Sequence, residues 1–318
     1  MKALALDAAT YARHELHADA CAWVEKNCYV DVWIELVHAL GCDPHAMLPF
    51  VVALDFEGDQ WTFFKPPHGE LWELYGLDVQ ELNVWRPLVD HAAEHLAAGK
   101  LIASEADAFW LPDVAGTDYR RAHVKSTIIL NELDVAGKRL GYFHNASYYA
   151  LDGEDFERTF APPVLPLYAE LARVDRVVRR PHAELAAISG GLLARHLARR
   201  PCDNPVRRFA ARFAAELSGL QEAGLAHYHA WAFATVRQLG AAAELAALYL
   251  RWLAGAPDAG QLELAAVSFR VISSAAKAFI MKGARAVSSK KPFDATSLLD
   301  PCAEAWDTAI ATLVNRAD

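Results

Sequence analysis

The sequence predicts an α+β protein, with an N-terminal domain of antiparallel sheet and helices over residues 1–165 and an all-helical domain over residues 166–318. Three observations carry this prediction. Aromatic and β-branched runs broken by Gly, Pro and Asp fill the first half, and two of them, at 124–130 and 139–144, have the spacing of a hairpin. Beyond Pro162-Pro163, Ala and Leu recur at helical period almost to the end.

The 318 residues suffice for two domains, and a hydrophobic content of 54% indicates a well-buried fold. A net charge of -9 argues against nucleic acid as a partner of the whole molecule. The first segment lacks an apolar signal core, and no uninterrupted apolar run reaches membrane-spanning length. The expectation is a soluble, cytoplasmic protein with no membrane partner. Cysteines at 21, 28, 42, 202 and 302 are odd in number and dispersed, which fits a reducing compartment. They form no close CxxC pair, so no metal is predicted.

In chain order, residues 20–40 are one helix interrupted near Asn27-Cys28, or a loop feeding a helix that begins there. Apolar residues at 30, 33, 34 and 37 give that helix a buried face, and Gly41 follows it. Residues 44–50 form a turn or short helix and 50–54 a strand, followed by Trp61, Phe63 and Phe64 as core or substrate wall. A helix at 88–98 closes on Gly99, and a strand at 101–104 runs into 105–112. The hairpin strands 124–130 and 139–144 flank a turn at Gly137. Helices are then expected at 165–178, 183–199, 205–217, 223–239, 241–252, 262–287 and 297–315.

Cys28 is the centre of the functional reading. At the start of a helix its thiol meets the positive end of the helix dipole, which stabilises a thiolate; burial as a small core residue is the competing account. In an antiparallel hairpin the start of one strand and the end of the next are neighbours, which sets His123 beside Asn145. Against Cys28 they would supply a base and an orienting amide; a sheet-edge histidine and a turn-capping asparagine are their structural alternatives. Glu105 and Asp107, alternate residues on one face of an extended chain, are candidates for receiving an amine, and without a third ligand they define no ion site. Asn27 and Gln60 complete the candidate substrate-binding set. His144 falls on the opposite face from Asn145 and suits that site less well.

Five segments carry a resemblance: Asn27-Cys28-Tyr29-Val30-Asp31, Asp55-Phe56-Glu57-Gly58-Asp59-Gln60, Glu105-Ala106-Asp107-Ala108-Phe109-Trp110-Leu111-Pro112, His123-Val124-Lys125 and Tyr142-Phe143-His144-Asn145. Together they resemble the marks of a bacterial family of unknown function that covers nearly the whole chain. Its members are similar to proteins encoded beside amino acid:carrier protein ligases. More distantly, the order Cys, His, Asn resembles the papain-like cysteine fold, including acyltransferases of aminoglycoside antibiotic synthesis. The chain departs from that pattern in having Ala22, Trp23 and Val24 where papain-like proteases carry a Gln.

The resemblance implies a papain-like N-terminal domain and a cysteine-dependent acyltransferase. It would move an aminoacyl group from the thioester of a phosphopantetheinyl carrier protein to an acceptor. No cofactor would be bound directly, since the phosphopantetheine arm belongs to the substrate. A thioesterase or cysteine peptidase, or a non-catalytic carrier-binding scaffold, are the alternatives. The expected partners are an acidic, aminoacylated carrier protein and its ligase. The helical half carries two basic series, Arg207, Arg208 and Arg212, and Arg270, Lys277, Lys282 and Arg285. Each is a solvated helix face or a docking surface for that carrier. His227 and His229 beside Trp231 lack a third ligand.

Overall fold

Asn27 precedes the first long helix and fixes where it begins. The computed structural model describes residues 1–161, 168–255 and 259–317. Its elements run α1 (Cys28–Ala39), β1 (Phe56–Glu57), β2 (Gln60–Trp61), α2 (His68–Tyr75), β3 (Asp78–Glu81), α3 (Leu88–Ala97), β4 (Leu101–Asp107), β5 (Lys125–Asp134), β6 (Arg139–His144), β7 (Ser147–Asp152), α4 (Gly153–Thr159) and β8 (Ala169–Arg173). Helices follow: α5 (His182–Ala198), α6 (Pro205–Ala223), α7 (Leu225–Ala234), α8 (Val236–Leu253), α9 (Ala259–Ser289) and α10 (Thr296–Ala317). The chain is therefore a mixed α+β part with an antiparallel sheet, followed by a largely helical part.

Two units emerge, and they exchange short segments. The first comprises Met1–Ala18, Asn27–Pro44 and Pro67–His182; the second comprises Asp19–Lys26, His45–Pro66 and Ala183–Asp318. The boundary expected at 165, with its marker Pro162-Pro163, lies outside the described residues.

In the first unit the strands lie in the order β3-β8-β4-β5-β6-β7, each antiparallel to its neighbour. Alternation along β5 sends Ser126, Ile128 and Leu130 to one face and Thr127 and Ile129 to the other. Ile128 and Leu130 join Leu88, Ala92 and Leu96 of α3 in one core cluster. Cys28 of α1 touches Thr127, so α1 and α3 cover opposite faces. Val30, Trp33, Ile34 and Val37 of α1 are fully buried, as their spacing requires.

The N-terminal segment is fastened to α1 through a buried imidazole. His17 Nδ1 lies 2.5 Å from Glu35 Oε1 and its Nε2 lies 3.0 Å from Asp31 Oδ1, while Tyr11 donates its hydroxyl to Glu35 at 2.7 Å. Carboxylates only accept, so an imidazole bonded to one at each nitrogen is held as the imidazolium. Burial alone would push the His17 pKa down, but the bonds to Asp31 and Glu35 outweigh it and raise it.

Two expected elements differ in type. The segment expected as helix 165–178 contains β8, which sits between β3 and β4. Ala169–Arg173 has the residue types of a helix, and pairing on both edges overrides that preference. The strand expected at 50–54 is a 3-10 helix, Pro49–Ala53, with Pro49 setting its first turn. A short buried apolar run satisfies either form.

In the second unit α9 packs on α8 and α10, while Phe209, Phe213, Trp231 and Phe279 make an aromatic cluster. Residues 19–26 belong here: Glu244 accepts from the amides of Ala22 and Trp23, and the Trp23 indole donates to Ser273. Gly240 is required at that point, since a Cβ there would strike the Trp23 ring. The single helix expected over 223–239 is two, α7 and α8, broken at Thr235. By length and composition Gly260–Ser289 would suffice to cross a membrane, although polar residues interrupt its apolar run.

Candidate functional site

Helix α1 starts where Asn27, in extended conformation, turns its Oδ1 toward the amides ahead of it. That oxygen accepts from Tyr29 N at 3.1 Å and Val30 N at 2.8 Å. The cap satisfies two of the donors that a helix start leaves unpaired and makes Cys28 the first helical residue. Asn27 is buried, so this oxygen serves the helix. Cys28 is half-buried, and its Sγ lies 3.7 Å from Thr127 Oγ1.

The β4–β5 register pairs Glu105 with Thr127 and Asp107 with Lys125, which brings both carboxylates to the Cys28 face. Lys125 Nζ lies 3.2 Å from Glu105 Oε1. Asp107 accepts from Phe109 N at 3.1 Å and from His123 Nδ1 at 2.6 Å. Phe109 then stacks on the His123 ring, with 4.4 Å between centroids and planes 10° apart. The imidazole is thus held from the side and from above. Its Nε2 carries no hydrogen bond among the described residues.

Register also sets the reach along the sheet. Ile128 of β5 pairs with His144 of β6, so Asn145 comes level with Thr127. That level is four residues, or about 13 Å along the strand, from His123. Asn145 opens the two-residue turn between β6 and β7 with φ 44°, in the left-handed region that asparagine tolerates. Among the described residues no hydrogen bond joins Cys28, His123 and Asn145 to one another. The thiol meets Thr127, the imidazole meets Asp107, and Asn145 forms the turn. Gln60 is exposed in β2 of the second unit.

Two polar clusters escape the sequence reading. Glu170 of β8, only 1% exposed, accepts from the hydroxyls of Tyr29 at 2.8 Å and Tyr168 at 2.6 Å, with His68 Nε2 at 3.1 Å. Burial would raise its pKa, but hydrogen bonds from His68, Tyr168 and Tyr29 hold it below the usual carboxylate range. On the α3 face, Ser126 Oγ lies 2.6 Å from His144 Nε2, and His144 Nδ1 lies 2.5 Å from Asp113 Oδ2, whose other oxygen accepts from Tyr142. The atom order matches a serine triad. However, His144 is 1% and Ser126 6% exposed within an apolar core, so the chain of bonds pins the Asp113 segment to the sheet rather than meeting a substrate. Neither cluster has a motif of fixed spacing; each depends on strand register.

The basic residues divide. Arg207 pairs with Asp307, Arg208 with Asp55 and Asp203, and Arg212 with Glu216, all within the second unit. Lys277 donates to Ala22 O and lies over the Trp23 ring. Lys282 and Arg285 have no ion pair among the described residues.

No curated protein matches the chain. Family models do: the DUF1839 N-terminal domain matches residues 12–174 and the DUF1839 C-terminal domain matches residues 182–315. With both halves matched in order, the chain belongs to the DUF1839 family, a family of unknown function.

Proposed function

We propose that the protein is a cysteine-dependent acyltransferase that takes an aminoacyl group from a carrier-protein thioester. The observation that carries this reading is a half-buried thiol at the first residue of a capped helix, above a sheet face that also bears Glu105 and the His123–Asp107 pair. The Cys28 thiolate attacks the thioester carbonyl, the bond from that carbon to the pantetheine sulfur breaks, and pantetheine leaves as its thiolate. Exchange of one thioester for another is nearly neutral in free energy, so the acyl group is kept activated.

Glu105, paired in register with Thr127, lies beside the sulfur's contact and receives the ammonium of the aminoacyl group. His123 acts in the second half. The bond from Nδ1 to Asp107 draws the ring back to the level of Lys125, two residues or about 7 Å along the sheet from Thr127, and through a bridging water its Nε2 takes the proton of the acceptor amine or hydroxyl as that group attacks and the Cys28 sulfur departs. Asp107 thereby takes the orienting role that the papain-like resemblance gives to Asn145. An acidic carrier protein, loaded by its ligase, is the donor.

The test is single-turnover loss of the aminoacyl group from a loaded carrier, followed in parent, Cys28→Ala and Glu105→Gln proteins. Loss only with Cys28 present, and a raised half-saturating carrier concentration in Glu105→Gln, supports the reading. Binding of the loaded carrier with no Cys28-dependent deacylation replaces it with the scaffold function. Release of free amino acid at the rate of deacylation identifies a thioesterase.

A further inference from the structure

Helix α9 turns Ala265, Phe269, Ile272, Ala276 and Phe279 into the interior, which leaves a second apolar row outside. Leu264, Val267, Val271, Ser274, Ala278 and Met281 recur at spacings of three and four, the pattern of a helix-pairing seam. Leu264 is 51%, Val267 44%, Val271 42% and Met281 71% exposed. Midway along, small side chains leave a groove of about 470 Å³ lined by Val267, Arg270, Val271, Ser274 and Ala275. Such an apolar row is costly to expose unless something covers it.

Charge decides what fits. Arg270, Lys277 and Lys282 flank the row and Arg285 extends it, while Glu263, the acidic residue beside it, pairs with Arg251 at 2.8 Å. Arg270, Lys282 and Arg285 have no ion pair among the described residues. Two α9 helices would set Arg270 beside Lys277 in antiparallel pairing along this seam and Lys277 against Lys282 in parallel pairing, so a second copy is disfavoured. An anionic bilayer would also meet basic flanks, but it buries a helix along a whole apolar face, and here α9 is packed on α8 and α10 and leaves a single stripe outside.

We propose that the seam docks an acidic amphipathic helix of a partner protein. Its apolar residues at matching spacing fill the groove, and Asp or Glu on its flanks meet Arg270, Lys282 and Arg285. The surface is argued from the helical unit alone, and a failure of Cys28 to acylate leaves it intact.

The experiment titrates the full chain with a fluorescein-labelled three-heptad peptide carrying Leu at its seam and Glu on its flanks, against the same peptide with Lys flanks. The expected result is at least about tenfold tighter binding of the Glu peptide, weakening with salt. Arg270→Glu with Lys282→Glu should invert the preference, and Val271→Asp should abolish binding of both peptides, with unchanged circular dichroism. Equal or absent binding of the two peptides overturns the proposal. So does a dimer in light scattering that Val271→Asp dissolves, which identifies a second copy. Co-sedimentation with vesicles of equal phosphatidylcholine and phosphatidylglycerol, lost in Val271→Asp, assigns the seam to a bilayer instead.

Discussion

Replacing His17 tests how the first unit is held together. Its ring is fully buried between Asp31 and Glu35, which are themselves fully buried, and each nitrogen makes one of the two bonds. His17→Ala removes the cation and leaves two carboxylates one helical turn apart in the interior. Breaking a buried ion cluster in this way costs about 3–5 kcal/mol, on the order of 10 °C in the melting of a unit this size. The sign with pH is fixed. The folded pKa of His17 is raised above its ordinary value, so its contribution is fully present below about pH 6.5 and is lost as pH rises through the folded pKa. Urea unfolding of parent and variant, followed by Trp fluorescence at steps from acid to mildly alkaline pH, should therefore give a gap that is widest at the acid end and narrows upward. A gap independent of pH, or a neutral His17 ring in nitrogen-detected spectra at pH 6, would refute the imidazolium clamp.

Site-resolved iodoacetamide labelling at neutral pH should modify Cys28 well before Cys42 and Cys302. Burial raises the Cys42 thiol and pushes that of Cys302 up to about 12, whereas Cys28 stands half-buried at a helix start. Ser126→Ala should cost about 1–3 kcal/mol in urea unfolding, because His144 Nε2 loses its donor, and should leave acyl transfer unchanged; a loss of transfer without a loss of stability would make Ser126 a nucleophile. Glu170→Gln should flatten the acid limb of stability. The folded pKa of Glu170 is depressed, so its contribution is present above the ordinary glutamate value and lost as pH falls through the folded one. Parallel acid limbs in urea melts of parent and variant would remove Glu170 from that role.

Helix α1 and the β5–β6 hairpin are legible because their information is local. Asn27 caps, apolar residues recur at helical spacing, and Gly137 marks a turn between two alternating runs. Strand β8 is not, because Ala169–Arg173 reads as helix until the edges of β3 and β4 are there to pair with it. The site divides along the same line. That Cys28 begins a helix is written in the sequence, and so is the common face of Glu105 and Asp107. That the thiol meets Thr127 is not, since it depends on how β5 lies under α1. The pairing of His123 with Asn145 assumed a flush hairpin. The observed register matches His144 with Ile128, so His123 extends past the end of β6 and finds Asp107 on β4 instead. Sequence alternation fixes which face a residue occupies; register, a property of two strands, fixes how far along that face it stands.

The claim that Cys28 carries the acyl group is tested most directly by mapping it. Parent protein and Cys28→Ser are mixed with a carrier bearing an aminoacyl thioester, quenched in acid, digested and analysed by peptide mass. One hydroxylamine-labile aminoacyl adduct is expected on the peptide containing Cys28, formed and consumed fast enough to support turnover, with a more hydroxylamine-resistant ester or no adduct in Cys28→Ser. Acyl transfer that proceeds at the parent rate with Cys28 unmodified, or an adduct on another cysteine that persists in Cys28→Ser, would contradict it.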